Sequence, residues 1–442
     1  MKNVRRVLAM SLMAVVGASA LVGCGGETSS DGGSSSSSNK GKVEVSIFQY
    51  KVEQKDAFEK AAEQYEKSHD GVSIDIKTVG GGDDYGSALK AQFQSGSEPT
   101  IYNIGGPQDV QDWTGKLEDL TNDDLTKQAV DNTLGAVTVD GKVYGYPLTL
   151  EGYGFIYNKA IFEKAGIDAS KIVTFADLES AVKTLDSKKK ELGLDSVFCL
   201  PAKEQWVIGL HTSNLAFSNE FASGTDAFNA KEIEFKYADQ LKKILDIQAD
   251  YGLQPDGTKS SVNGVDYSTQ VEKEFSLGKV AMIQQGNWIY GSVAGIDEDL
   301  AKNIGMIPIP VDGVAEGKLP VGVPMYWGVN SNKSDEEKKA AKDFLNWLYT
   351  SDEGKKIIIE DCGFIPAYKG YDSEALQPTD PLAKTVSQYA ADGKTLPWVF
   401  MGYPTGFGET QLGAGMQSYF AGEKTWDQVV EQAKADWKAD RQ

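Results

Sequence analysis

The alternation of strand and helix patterns between residues 43 and 104 constrains the fold more than any other feature of the chain. Strand patterns alternate apolar and polar residues, and helix patterns place apolar residues three and four positions apart. Three strand patterns alternate with two helix patterns in this region: Val43–Ile47, residues 56–67, Val72–Ile76, residues 88–93 and Thr100–Ile104. This βαβαβ order predicts a mostly parallel sheet with helices on both faces.

Capping-box patterns predict three later helices, which begin after Thr174, Ser334 and Thr425. The chain has 442 residues, a length typical of two or three domains. Beyond residue 42 no low-complexity linker interrupts the sequence. We therefore predict an α/β protein with two lobes that the chain crosses more than once.

The first residues have the pattern of a lipoprotein signal peptide. Lys2, Arg5 and Arg6 precede an apolar segment at residues 7–22, and Cys24 follows where that segment ends. We predict that residues 1–23 are cleaved and that Cys24 is acylated; an ordinary secretory signal with an incidental cysteine is the alternative. Cleavage changes the net charge from −20 to −23, which excludes non-specific binding to nucleic acid or anionic lipid.

Residues 24–42 are almost all small or polar, with serine at every position from 34 to 38. Such a segment predicts a disordered tether with a mean reach of roughly 20–25 Å. We expect a monomer at the extracellular face of the cell membrane of a Gram-positive bacterium, anchored only through the lipid on Cys24.

Motifs for catalysis and metal binding are missing from the sequence. It has no Gly-x-Ser-x-Gly, His-Glu-x-x-His or Cys-x-x-Cys motif, and its only histidines are His69 and His211. Each histidine is interpreted as a surface or capping residue. Cys199 and Cys362 are predicted to be free thiols, with pairing left open. We expect no enzymatic activity, no cofactor and no metal.

Aromatic residues beside glycine, proline or polar residues favour a sugar-binding site, because sugar C–H faces stack on aromatic rings. Tyr153, Trp206, Tyr326 and Trp398 have such neighbours, although each is equally compatible with a core. Trp288 has two interpretations. We expect the buried strand to end at Ile283 and the polar residues 284–287 to form a turn. Trp288 then either starts the core of the next helix or stands at the mouth of a pocket.

From about Val43 onward the chain resembles the bacterial extracellular solute-binding proteins of ABC transporters, in particular the carbohydrate-binding group that includes maltodextrin-binding proteins. Four stretches carry the resemblance: residues 140–167, 275–290, 321–357 and 363–368. It implies a two-lobed periplasmic-binding-protein-like fold with several chain crossings at the hinge. Lobe one would comprise residues 43–149 and 320–365, and lobe two would comprise residues 150–319 and 366–442.

The resemblance also implies ligand-binding residues. Glu151 matches an acid that binds sugar hydroxyls, Trp288 matches a tryptophan that stacks on a sugar ring, and Trp206 falls near another aromatic segment. Further contacts are implied by position alone, at Asp84, Asn103, Tyr326, Trp398 and Tyr403. Residues 103–108 differ from the tryptophan and Asp-Arg pair of maltodextrin binders, which argues against maltodextrin itself.

We therefore predict a lipoprotein that captures a sugar, such as a short oligosaccharide, for an ABC importer by closing a hinge around it. Two alternatives stay open at this point. The ligand could be a non-sugar solute such as a peptide or polyamine, or the protein could be a surface glycoside hydrolase.

Overall fold

The computed structural model describes residues 41–80 and 84–442. The predicted signal peptide, the lipidation site at Cys24 and residues 24–40 of the predicted tether lie outside these ranges. Within them, none of the helices combines the length and the apolar character needed to cross a bilayer.

The strands form two main sheets and one short hairpin. The hairpin pairs β4 with β5, and the other strands divide between the sheets. In chain order the strands are β1 Val43–Gln49, β2 Val72–Thr78, β3 Ile101–Ile104, β4 Thr138–Val139, β5 Lys142–Val143, β6 Tyr146–Pro147, β7 Glu151–Asn158, β8 Ser196–Phe198, β9 Val280–Gly286, β10 Ile304–Ile307, β11 Leu319–Gly322, β12 Tyr326–Val329 and β13 Thr395–Leu396.

The first sheet has the order β2-β1-β3-β12-β6, and β1 pairs in parallel with both β2 and β3. The second has the order β13-β11-β7-β9-β8, with β10 also paired to β7. In the first sheet only β12 runs against the other strands, and in the second only β7 does. The prediction of mostly parallel sheets is confirmed, and each reversed strand directly follows a crossing between the sheets.

Helices cover both sheets. The three predicted capping boxes are present, at the starts of the helices that begin at Phe175, Asp335 and Trp426. The α-helices are α1 Lys55–Ser68, α2 Tyr85–Gln94, α3 Pro107–Asp112, α4 Asp124–Gln128, α5 Lys159–Ala165, α6 Phe175–Leu192, α7 Thr212–Phe217, α8 Gly224–Asn229, α9 Ala238–Asp250, α10 Tyr290–Ile296, α11 Glu298–Lys302, α12 Asp335–Thr350, α13 Asp352–Lys356, α14 Pro381–Ala391, α15 Ala414–Phe420 and α16 Trp426–Asp440.

Each sheet has its own apolar core. On the first sheet, α1 and α12 bury Phe58 and Phe344 together with Trp327 of β12. On the second sheet, α5, α6 and α9 pack against β7–β9, and a further core holds Trp437 of α16. Separate cores under separate sheets give two lobes.

Three segments lie side by side where the lobes join. The chain passes from β6 to β7 and later from β11 to β12, and Gly322 of β11 pairs with Glu151 of β7. Beside them, the Leu150 N–H donates to the Ile365 carbonyl at 2.9 Å. These adjacent segments form the hinge that the resemblance implies.

The lobe boundaries stay a prediction. The strand β11 belongs to the second sheet, although its residues 320–322 fall in the predicted lobe one. Tyr368 and Tyr371 pack in the first core, although both fall in the predicted lobe two. By its sheets and cores, the chain makes these later crossings a few residues after the predicted positions.

Candidate ligand-binding site

A buried ion pair joins the two lobes. Lys51 follows the carboxyl end of β1 in the first lobe, and Glu151 is the first residue of β7, directly after the hinge. The Lys51 ammonium pairs with the Glu151 carboxylate, and both residues are 4% exposed. Burial raises the pKa of Glu151, although the Lys51 ammonium opposes this shift. The pair therefore holds charge at a place where the lobes exclude most water.

Two hydrogen bonds fix the backbone on the first-lobe side of the site. The Lys51 N–H donates to Gln49 Oε1 at 2.6 Å, and the Tyr50 N–H donates to Asn103 Oδ1 at 3.2 Å. The second bond connects the carboxyl ends of β1 and β3. In open α/β sheets, the edge formed by the carboxyl ends of parallel strands is where ligands bind.

Three buried polar atoms around this pair have no hydrogen-bond partner among the described residues: Tyr50 Oη, Asn103 Nδ2 and Trp398 Nε1. The negative charge of Glu151 adds to burial in raising the pKa of Tyr50, so the phenol lies within the field of that carboxylate. The Trp398 ring packs on Gly322, the residue that pairs with Glu151. Buried polar groups are nearly always hydrogen-bonded, so these atoms mark a place for a polar ligand.

Tryptophan rings form the second-lobe wall of the site. Trp288 is partly exposed and lies in a short helical turn, Asn287–Ile289, that follows β9. The Lys51 ammonium lies 5.8 Å from the centre of the Trp288 ring and 5.4 Å from that of Tyr50. Trp206, also partly exposed, has its ring 6.2 Å from that of Trp288. Trp288 thus stands beside the ion pair, as the pocket interpretation requires, and also packs against two core clusters.

The expectation about the residues before Trp288 is wrong. The polar residues do not form a turn, because β9 continues through Gln284 and Gln285 to Gly286. Both glutamines are buried, and their amides donate to the Thr212 hydroxyl at 2.8 Å and to Gln270 Oε1 at 2.7 Å. The Trp288 N–H is also not free, since it donates to Gln285 Oε1 at 3.0 Å.

Gly286 explains how Trp288 reaches this position. The Trp288 ring folds back over Gly286, where a Cβ atom would overlap the ring. A glycine at the end of the strand therefore leaves space for the indole.

The other predicted residues fall in different places. Asn103 and Trp398 belong to the site. Asp84 is exposed and caps α2, where its carboxylate accepts hydrogen bonds from Ser87. Tyr326 and Tyr403 instead lie in apolar cores, with their hydroxyls bonded to the Thr133 carbonyl and to Ser213. Because these hydroxyls already have protein partners, we leave both tyrosines out of the site.

Lys51 and His211 were not predicted. Lys51 carries no local motif, and its partner lies 100 positions away in the sequence. The interpretation of His211 as a surface or capping residue is wrong, because it is buried among the aromatic rings of the site. His69, by contrast, is the exposed cap at the end of α1, as predicted.

The lobes also contact each other through α3. A Cβ atom at Gly106, just before α3, would overlap the Met401 carbonyl oxygen of the second lobe. Within α3, Gln108 accepts a hydrogen bond from the Arg441 guanidinium at 2.7 Å, and Asp112 accepts one from the Thr405 hydroxyl at 2.8 Å. These contacts, together with the buried ion pair, hold the two lobes directly against each other.

Comparison with known proteins identifies the family. Residues 60–385, about three quarters of the chain, match the profile of a family described as bacterial extracellular solute-binding protein. The chain belongs to this family. The two-lobed fold and the position of the site at the hinge of this solute-binding protein agree with that assignment.

Several proteins are similar in sequence or structure to most of the length of this solute-binding protein. It is 27% identical over 387 residues to the maltooligosaccharide ABC transporter solute-binding lipoprotein of Streptococcus pneumoniae strain R6, covering 85% of this chain and 84% of the relative. It is 25% identical over 360 residues to the multiple sugar-binding protein of Streptococcus mutans, covering 79% and 81%. A solved structure, the solute-binding protein RafE in complex with raffinose, has a TM-score of 0.72 at 21% identity, covering 91% of this chain and 100% of that one. This likeness shows that the fold is the same.

Proposed function

We propose that this solute-binding protein is a cell-surface lipoprotein that binds a short oligosaccharide between its lobes and delivers it to an ABC importer. One observation carries the proposal. Unpartnered buried polar atoms from both lobes surround a buried ion pair, beside partly exposed tryptophan rings. The sugar-binding relatives support it.

A sugar fits this combination better than a purely polar or purely apolar solute. A buried polar group without a partner costs about 1–3 kcal/mol, and sugar hydroxyls can both donate and accept. In this proposal Glu151, Asn103 and Tyr50 bind hydroxyls, while Trp288 and Trp206 stack on the C–H face of a ring. Trp398 donates its N–H to the same ligand.

Hinge closure is the proposed mechanism. Tyr50 and Asn103 belong to the first lobe, whereas Trp288 and Trp398 belong to the second. A ligand that contacts all four makes its full set of contacts only when the lobes are together, so it stabilises the closed state by its differential affinity. Acylation of Cys24 and the tether predicted at residues 24–42 would hold the protein at the extracellular face of the membrane, within reach of the permease.

A thermal-shift screen tests the function. Protein that begins at Lys40 is melted with 1 mM of each of a panel of mono-, di-, tri- and tetrasaccharides, and with spermidine and a tripeptide as non-sugar probes. A ligand at 100 times its dissociation constant stabilises the folded state by about 2.7 kcal/mol, which raises the melting temperature measurably. We expect at least one oligosaccharide, and neither non-sugar probe, to do so.

The sugar that gives the largest shift is then titrated by calorimetry and recovered after overnight incubation. We expect one bound sugar per protein and an unchanged mass of the recovered sugar. Stabilisation by spermidine or the tripeptide alone would contradict the proposal, and hydrolysis of the sugar would favour the glycoside hydrolase alternative.

A further inference from the structure

His211 lies at the centre of the aromatic rings of the site. Its imidazole stacks on Tyr153 of β7, with ring centres 4.3 Å apart and planes 8° from parallel. Four further rings have their centres within 6 Å of it: Trp206 at 5.1 Å, Phe400 at 5.4 Å, Trp288 at 5.5 Å and Trp398 at 5.8 Å. Trp206, Trp288 and Phe400 are only partly buried, so the group of rings is not a sealed core.

The main chain at His211 is held in place from several sides. The segment Trp206–His211 is a π-helical turn, a rare geometry that often occurs at functional sites. The Tyr153 hydroxyl donates to the His211 carbonyl at 2.8 Å. A Cβ atom at Gly209 would overlap the Gly408 carbonyl oxygen, so this turn is packed tightly against its neighbour. His211 is therefore presented by a rigid scaffold.

Among the described residues, the imidazole has no polar partner. His211 is 8% exposed, and the described part of the chain provides no hydrogen bond to either ring nitrogen. Burial, with a smaller contribution from the Lys51 ammonium, lowers the pKa of His211 to about 3, so the ring is neutral at physiological pH. A neutral imidazole offers one donor and one acceptor. Neither ring nitrogen is among the fully buried unpartnered atoms of the described residues, and stacking on Tyr153 satisfies neither of them, so both are accessible to a ligand.

We propose that His211 is a ligand-binding residue, which hydrogen-bonds one hydroxyl of the sugar unit that stacks on the neighbouring tryptophans. This inference rests on the proposed function and adds a specificity determinant to it. A hydroxyl can donate to the acceptor nitrogen or accept from the N–H, and the Lys51 charge that acts on the ring is already paired with Glu151. His211 therefore selects an uncharged hydroxyl at one position of the sugar.

The test compares His211→Phe with wild type, because phenylalanine keeps a flat ring and removes both nitrogens. The control is His69→Phe, a substitution of the exposed histidine at the end of α1. Calorimetry uses the sugar selected by the thermal screen and its set of monodeoxy analogues. We expect His211→Phe to bind the parent sugar at least 10-fold more weakly and His69→Phe to bind it within twofold of wild type.

The deoxy analogues separate ligand contact from packing. Wild type should lose affinity for the analogue that lacks the hydroxyl bound by His211, and His211→Phe should bind that analogue as well as the parent sugar. A variant that keeps the full discrimination at every position would overturn the inference while leaving the proposed function intact. Failure of wild type to bind any sugar would overturn both.

A measurement on the wild-type protein covers the case in which His211→Phe does not fold. The chain contains only two histidines, so ¹⁵N-labelled untagged protein gives two sets of imidazole signals. We expect the sugar to shift the signals of His211 and not those of His69. Unchanged His211 signals at saturating sugar would overturn the inference.

Discussion

Substitution of Lys51 by methionine tests the buried ion pair between the lobes. Methionine keeps an unbranched apolar side chain and removes the ammonium, so the Glu151 carboxylate stays buried without its partner. Breaking a buried ion pair on one side costs about 3–5 kcal/mol, because an uncompensated charge remains. Loss of the contacts with the Tyr50 and Trp288 rings adds about 0.5–1 kcal/mol. We expect Lys51→Met to lower the free energy of unfolding by at least about 3 kcal/mol.

Urea unfolding at pH 7, followed by tryptophan fluorescence, measures this free energy for Lys51→Met and for Lys51→Met/Glu151→Gln. The double variant should recover most of the loss, because it leaves no buried charge. Lys67→Met is the matched control, since Lys67 and Glu63 are both 74% exposed in their side chains and such pairs contribute little. A loss in Lys51→Met no larger than in the control would refute the reasoning.

The pH dependence of Lys51→Met has a definite sign. Without the ammonium, burial raises the folded-state pKa of Glu151 further above its ordinary value of 4.5. The folded state then binds a proton that the unfolded state releases, so stability is lost as the pH rises through the folded-state pKa. We expect the deficit relative to wild type to be small below pH 4.5 and larger at pH 7. An equal deficit at both values would show that the effect is one of packing.

Three further predictions follow from the site and the sequence. Trp288→Ala should weaken binding of the selected sugar at least ~30-fold by calorimetry, since truncated aromatic anchors commonly cost ~2 kcal/mol; normal affinity in a destabilised variant would mean that Trp288 only packs. Cys199 and Cys362 are free and buried, so thiol titration of protein that begins at Lys40, in denaturant without reductant, should find two thiols, and none would contradict the structure. Cys24→Ala should release the protein from the membrane fraction of a Gram-positive host, and retention there would rule out lipid anchoring at Cys24.

Local patterns predicted the elements that depend on local interactions. The strand at Val43 and the helix at Lys55 follow from apolar periodicity, and the helices at Phe175 and Asp335 follow from capping boxes that use neighbouring residues. The resemblance supplied the positions of the crossings and the site residue Glu151, and it favoured the pocket interpretation of Trp288; periodicity alone gives none of these.

The parts that sequence analysis missed depend on partners far away in the chain. Gln284 and Gln285 suggested a turn because isolated amides avoid strand interiors, yet Thr212 and Gln270 satisfy them inside the lobe. His211 has no motif, and its environment comes from rings on β7, after β9 and after β13. When a buried polar group finds its partner in a distant part of the chain, no pattern in the neighbouring sequence indicates it.

A crystal structure with the selected sugar tests the central claim most directly. The account predicts electron density for the sugar between the two lobes, with hydroxyls within hydrogen-bond distance of Tyr50 Oη, Asn103 Nδ2 and Trp398 Nε1, and a ring face on Trp288. Sugar bound elsewhere on the surface, with these three atoms still unpartnered and the Lys51–Glu151 pair untouched by ligand, would contradict it.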